Sequence, residues 1–476
     1  MSYNYDLIVI GAGSGGISAA NLALGLGKKV ALVEKKQIGG DCTWYGCVPS
    51  KALIKASEVA HKIKSAGRYG LTLDDSSLDT QNVMAHVRAI RESVYEGEKP
   101  EVFADMGIDV IIGSPRFVNN HEIQIDEKTV SSKSFLISTG SSPYKPPVEG
   151  LDTVPYLTNE TLFDLESLPK SLAVLGGGPI GTEMASALNR LGVKVTIIEK
   201  GKHILSREDP ELVEILTKRL IEEDVSILTS TEAIKFAGNG DGINITVKTS
   251  AGETSVISVD STLVSVGRRP NVSGLGLENA GVEYSPRGIK VNDKLQTAAG
   301  NIYAIGDVIG SYQFSHIAEY HANIAVPNAV LPIPFKKKVD YSNVVWATFT
   351  DPEFAHSGLT EAQAKEKYGE NIRIYRHEYS KVDRAKTDLA QIGMSKIITD
   401  KKGRLVGMHI IGERAAALLH EVQLAKSMGI PFHKIQSMIH IYPTYGDMLK
   451  RPSVKAYVDK LQNNFFIKLA KKLTGK

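Results

Sequence analysis

Residues 5–35 read YDLIVIGAGSGGISAANLALGLGKKVALVEK. The apolar run over Asp6–Ile10 predicts a buried strand that breaks at the turn GAGSGG; a small-residue helix over Ile17–Leu26 and a second strand, KVALVEK, follow. This is a βαβ unit. Gly11, Gly13 and Gly16 stand directly between strand and helix, where glycine permits the tight turn and a close backbone approach to a pyrophosphate at the positive end of the helix. Glu34, at the end of the second strand, is placed to accept ribose hydroxyls. The stretch therefore predicts a dinucleotide-binding unit.

The same pattern returns in SLAVLGGGPIGTEMASALNRLGVKVTIIEK, residues 171–200, with Gly176, Gly178, Gly181 and Glu199. Gly11 to Glu34 and Gly176 to Glu199 are the same 23-residue step, so two matching units are expected to hold two nucleotides. Between them, SFLISTGSSPYKPP is a strand returning to the first domain. After a meander turning at NGDG (239–242), STLVSVGRRPN closes the second domain, and NIYAIGDV delivers Asp307 just past a short strand, a usual ligand position in open α/β sheets. A helix is expected over Ser315–Val326. From about Asp340 the pattern changes to alternating strands (Ile372–Tyr379, Met394–Thr399, Leu405–Ile411) with a capping box at Thr360 and Gln363. The expected division is 1–147, 148–268, 269–339 returning to the first domain, and 340–476.

The 476 residues suffice for about three domains. With 42% hydrophobic and 23% charged residues, the composition is that of an ordinary globular protein. A net charge of +3 gives no support for nucleic acid binding. No apolar stretch approaches the roughly 18 residues of a membrane span, and the N-terminus reads as a strand rather than a secretory signal, so a cytoplasmic protein is expected. The basic, amphipathic end NNFFIKLAKKLTGK is expected to pack at an interface or form a solvated tail, with contact to an anionic membrane surface as the alternative.

The only cysteines, Cys42 and Cys47, lie in GGDCTWYGCVPSKALIKAS (39–57). In a regular helix, residues five apart have Cα atoms about 8.6 Å apart, beyond disulfide reach. A bridge here requires a distorted helix start, for which Gly46 and Pro49 give freedom. Lys51 follows Cys47 by four residues on the same helical face. A thiolate at a helix N-terminus is stabilised by the dipole, so electron relay through a dithiol is the chemistry suggested. The spacing matches no zinc site, and no metal centre is expected.

With these motifs assembled, the sequence resembles the pyridine-nucleotide disulfide oxidoreductases, the family of dihydrolipoamide dehydrogenase, glutathione reductase and mercuric reductase. The motifs are both fingerprints with their acids, GGDCTWYGCVPSK, STG with Thr139 and Gly140, VGRRPN with Gly267, and AIGDV with Asp307. The resemblance implies an α/β fold of two Rossmann-like domains, one for FAD and one for NAD(P), plus a C-terminal α+β dimerisation domain. It implies a homodimer with shared active sites. It makes Cys42 the interchange thiol that attacks a substrate disulfide and Cys47 the thiol beside the flavin. Lys51 would approach the flavin and pair with Glu183. The helix beginning near Ser315 would aim its positive end at the flavin, with His316 close by.

One motif departs from the pattern. Where family members carry HPTxxE, whose His is the acid and base for the interchange thiol, this chain has IHIYPTYGDMLKR. Tyr442 stands at the His position and Asp447 at the Glu position, and a tyrosine is a poor base at neutral pH. His440, two residues earlier, would point the same way in an extended segment. Mercuric reductases also place tyrosine there, and REDPE (207–211) and FSHIAEYHA (314–322) lean toward that branch. Those enzymes, however, use a C-terminal cysteine pair, and none follows Cys47. Trp44 and Tyr45 are expected to narrow or reshape the disulfide pocket. Glu199 favours NADH over NADPH, with Lys200, Lys202 and Arg207 nearby on the other side of the balance. The leading expectation is a dihydrolipoamide-dehydrogenase-like enzyme. The alternatives are a mercuric-reductase-like disulfide, quinone or metal reductase, and a weakly catalytic FAD redox sensor or membrane-associated protein.

Overall fold

The computed structural model describes residues 3–72, 78–240, 242–465, 467–468 and 473. Most of the amphipathic C-terminal stretch, and with it the expected membrane contact, lies outside the described residues. None of the described helices is long and apolar enough to cross a membrane. The chain divides into two compact units.

The first unit comprises 1–176, 233–247 and 254–340. The parallel part of its main sheet runs in the order Asp109–Ile112, Val30–Glu34, Tyr5–Ile10, Lys128–Ile137, with Ile302–Ala304 also pairing the last of these. These pairings are all parallel. The central strands carry unbroken apolar runs because helices or further strands cover both faces. Leu7, Ile8 and Val9 are completely buried. The helix Ser14–Gly25 buries Ala19, Ala20 and Ala23, and these small side chains share one core cluster with Ala322 and Ala325 of the helix Ser315–Val330. This unit also pairs Ser171–Leu175 with Ser261–Val264 in parallel.

The second unit comprises 177–232, 248–253 and 341–476. It holds the helix Pro179–Arg190 and the parallel strands Lys194–Ile198 and Ser226–Leu228. Its largest sheet is antiparallel, in the order Val345–Thr348, Glu353–Gly358, Leu405–Gly412, Met394–Asp400, Ile372–Glu378. The capping box at Thr360 and Gln363 opens the helix Glu361–Tyr368. The register sets Trp346, His356, His409, Lys396 and Arg376 side by side across all five strands. Facing this row are carboxylates: Glu208 meets Trp346 and His356, while Asp209, Glu211 and Glu361 surround Lys396. The REDPE segment is thus fastened to the sheet by charge.

Candidate active site

In the first unit, the strand Tyr5–Ile10 ends at Gly11 (φ +98°), where a Cβ would run into the Ser138 carbonyl; a Cβ on Gly16 would overlap the carbonyl of Gly11. Only glycine fits this turn. The helix Ser14–Gly25 follows with Gly13 as an N-cap that offers no side chain, so the cap leaves the first helical amides to an incoming ligand. Glu34 braces the loop: its two oxygens accept the Ala12 and Lys36 amides, each at 2.9 Å.

The second fingerprint repeats this arrangement. Gly176 has φ +96° against the Ser265 carbonyl, Gly178 is the uncapped start of Pro179–Arg190, and Gly181 is buried within that helix. Glu199 accepts the amides of Gly177 (2.6 Å) and Gly201 (2.5 Å). In both fingerprints the acid therefore holds the residue after the first glycine and the residue two beyond itself. Uncapped amides, glycine backbone and an acid at the end of the second strand are what a dinucleotide diphosphate requires, so the donor sets fit FAD and a nicotinamide nucleotide.

Asp307 lies just past the strand Ile302–Ala304, as expected. Burial pushes its carboxyl above the usual range, opposed by the Ser141 hydroxyl, which donates to Oδ2 at 2.6 Å, and by the Arg268 charge. Arg268 was not among the expected site residues. It donates to Ser141 Oγ (2.7 Å) and to its carbonyl (2.8 Å), and Nη2 lies 3.0 Å from Asp41 Oδ1, next to Cys42. Thr139 donates to the Asn271 carbonyl at 2.8 Å. Gly140 and Gly267 have positive φ, and a Cβ on either would meet nothing within 4 Å, leaving open backbone. His321, fully buried and pushed down to about 4 by burial, is held neutral and accepts the Gly306 amide at 3.2 Å.

The helix Gly40–Trp44 stops at Tyr45, the chain turns at Gly46, and Cys47 opens the helix Cys47–Lys64. This is the broken helix start that the spacing requires. Trp44 is 6% exposed, donates to the Ile38 carbonyl at 2.8 Å and packs on Tyr95, because its large apolar ring is stabilised by the interior. Both cysteines are reduced. The hydrogen bond from Cys47 lowers the Cys42 thiol to about 6 against the opposing effect of burial, with help from Ser315 and Ser14. The same bond, together with burial, pushes Cys47 far up, opposed by Ser315 and the Lys51 charge. Cys47 Sγ lies 3.4 Å from Ser315 Oγ. Neither serine hydroxyl was read from the sequence, although the helix beginning at Ser315 was. Lys51 donates to Ser50 Oγ at 3.3 Å. His316 stacks on Phe314, with ring centroids 5.4 Å apart.

In the second unit, Glu183 is buried and accepts the Phe349 amide at 2.8 Å. Tyr442 is 66% exposed and donates to Asp383 at 3.1 Å, and this bond and charge raise its phenol above the ordinary range. Asp447 opens the helix Asp447–Gln462 with Arg451 3.6 Å away. His440 does not share the exposure of Tyr442. Its Nε2 lies 3.0 Å from Glu421 and its Nδ1 3.2 Å from the Met438 carbonyl, and these partners draw the ring inward.

Comparisons with known proteins agree with this geometry. Residues 5–322 match the family model described as pyridine nucleotide-disulphide oxidoreductase, and residues 344–452 match its dimerisation domain. A mercuric reductase of Lysinibacillus sphaericus is 34% identical over 94% of this chain and 82% of its own. A dihydrolipoyl dehydrogenase of Thermus scotoductus is 35% identical over 94% and 96%. The HOCl-induced flavoprotein disulfide reductase RclA from Escherichia coli superposes with a TM-score of 0.84 at 28% identity, covering 94% of this chain and 99% of that one; its Cu(II) complex gives 0.83. The chain belongs to the pyridine nucleotide-disulphide oxidoreductases and is a FAD-dependent enzyme carrying the family's dimerisation domain.

Proposed function

We propose that this enzyme works in the reducing direction, from NADH to a redox-active Cys42–Cys47 pair and on to a thiol-reactive acceptor, a disulfide or a soft metal ion. In this reading residues 1–147 and 269–339 hold FAD through Gly11, Gly13, Gly16, Glu34, Thr139, Gly140 and Asp307. Residues 148–268 hold the nicotinamide nucleotide through Gly176, Gly178, Gly181, Glu199 and Gly267, and residues 340–476 pair two copies. Bound FAD supplies the two-electron link between nicotinamide and the cysteines. Lys51 and Glu183 keep the roles the resemblance gives them, a cation near the flavin and its carboxylate partner.

The observation that carries the reading is the contrast between Cys42 and Tyr442. A thiolate is the nucleophile in disulfide exchange, and three neighbouring hydroxyl or thiol groups favour it at Cys42 with no base. Oxidising a dithiol substrate is different, because the incoming thiol must give its proton to a base. A phenol raised above its usual range by Asp383 is a poor one at neutral pH. The mercuric reductase relatives and the Cu(II) complex of RclA support a soft metal among the acceptors.

Replacing Tyr442 with His is expected to raise kcat/KM for dihydrolipoamide oxidation by about 10²-fold, the usual worth of a positioned base. NADH-driven reduction of an aromatic disulfide should change by less than about twofold. Stopped-flow measurement under nitrogen checks both. The reading is lost if dihydrolipoamide raises the thiolate-to-flavin band of the native enzyme as fast as NADH does.

NADH is expected to exceed NADPH in kcat/KM by about tenfold or more, since the Glu199 carboxylate repels a 2′-phosphate. Lys200, one of the nearby cations, is tied to Glu232 at 2.9 Å. Steady-state rates with the two nucleotides decide this, and a preference for NADPH overturns it.

A further inference from the structure

We propose that Glu208, His356 and His409 form a buried site for one divalent metal ion of borderline softness, such as Zn(II). The three residues are 4%, 2% and 0% exposed, and one ligand atom from each lies within 4.8 Å of the other two. His356 and His409 face each other on adjacent strands. The Nε2 of His356 lies 2.8 Å from the Gly358 carbonyl and that of His409 2.9 Å from the Leu359 carbonyl. A carbonyl only accepts, so both Nε2 atoms carry hydrogen and each Nδ1 of a neutral ring presents a lone pair.

His409 Nδ1 is buried with no hydrogen-bond partner. A buried polar atom without a partner is uncommon in folded proteins, and a bound ion is one of its recognised explanations. His356 Nδ1 lies 2.7 Å from Glu208 Oε2, a contact that needs a proton or a cation between the two atoms. The other Glu208 oxygen accepts the Trp346 indole N–H at 2.5 Å. Two imidazoles and a carboxylate suit Zn(II) and its neighbours in the first transition row. The outer bonds match the pattern of metal-binding histidines, whose second nitrogen donates to a carbonyl. At Zn–N and Zn–O bonds near 2.1 Å, tetrahedral ligands stand about 3.4 Å apart, so side-chain adjustment of an ångström or so closes the triad. An ion here would pin the segment ahead of the helix Pro210–Glu222 to the five-stranded sheet, a structural role separate from the cysteine pair. No local motif announces it, because the three ligands come from positions 208, 356 and 409.

The test uses FAD-loaded protein in which Cys42 and Cys47 are both serine, so that no thiolate competes. After EDTA treatment, Zn(II) is titrated against a chromophoric chelator, and Co(II) is added separately for its visible ligand-field bands. One Zn(II) per subunit is expected, with affinity falling about tenfold or more in E208Q and in H409Q, and with the Co(II) bands lost in both. Should H409Q fail to retain FAD, E208Q, which keeps an oxygen for Trp346, decides alone. Absence of stoichiometric Zn(II) in the parent, or equal affinity in E208Q, overturns the proposal.

Discussion

Cys47→Ala is expected to return the Cys42 thiol from about 6 toward the ordinary range near 8.5, and to abolish turnover with disulfide acceptors. The largest influence on Cys42 is the hydrogen bond that Cys47 donates, and alanine removes it outright. Ser315 and Ser14 remain as donors, so the return should be incomplete. At pH 7 a thiol of pKa 6 is about nine-tenths thiolate, whereas one near 8.5 is only a few per cent ionised. Iodoacetamide should therefore label Cys42 about tenfold more slowly in the variant, with the midpoint of its pH profile moved upward. Turnover should fall by about a thousandfold or more, because a dithiol that has lost one sulfur has no route from disulfide to dithiol. NADH-driven reduction of a dye that takes electrons directly from flavin should survive. Cys47→Ser, which places a hydroxyl donor on a shorter side chain, should fall between the two on the labelling profile and match alanine in turnover. An unchanged profile in the alanine variant would remove Cys47 as the source of Cys42 reactivity.

What the sequence made legible is what depends on local order. The two fingerprints are strand, glycine turn and helix in unbroken succession, and their equal spacing reappears in the paired amide contacts of Glu34 and Glu199. Three of the five strands of the last sheet were placed to within about a residue, since each is an apolar run bounded by turn residues, whereas Val345–Thr348 and Glu353–Gly358 were not. What escaped depends on register and on side chains arriving from afar. Ser315 reaches Cys47 across 268 positions, and nothing near it in sequence marks its hydroxyl. Arg268 stood inside a quoted motif, yet only the fold reveals that it joins Asp307, Ser141 and Asp41. His440 shows the limit of alternation as a guide. Residues two apart share a side of an ideal strand, but here His440 is held by Glu421 on the helix Ala415–Ser427 and by the Met438 carbonyl, whereas Tyr442 reaches Asp383. Catalytic assignments drawn from spacing alone would have treated the two as interchangeable.

The row across the five-stranded sheet leads to the second large effect. Lys396 is 2% exposed and lies 2.8 Å from Asp209, 2.8 Å from Glu211 and 2.7 Å from Glu361. Methionine in its place keeps most of the volume and removes the charge, leaving three carboxylates gathered without their central cation. Breaking a buried ion pair from one side costs about 3–5 kcal/mol, which for a unit of this size lowers its thermal midpoint by about 10 °C. Arg376 still reaches Glu211 and Glu361, and Lys365 still reaches Glu361, so the loss falls most heavily on Asp209. The pH dependence gives an independent readout. Burial alone would raise the Glu361 carboxyl, but hydrogen bonds from Lys365 and Lys396 and the charges of Lys396 and Arg376 hold it down to about 2. A carboxyl depressed by folding contributes stability that is present above its unfolded value near 4.5 and is lost as pH falls toward 2. The native chain should therefore lose stability steeply between pH 5 and about 2. Lys396→Met lets Glu361 rise toward its unfolded value, so the variant begins lower and falls less over that interval. Denaturant midpoints measured at several pH values separate the charge effect from simple repacking: two parallel curves would assign the whole loss to packing, and convergence at low pH would assign it to the lost cation.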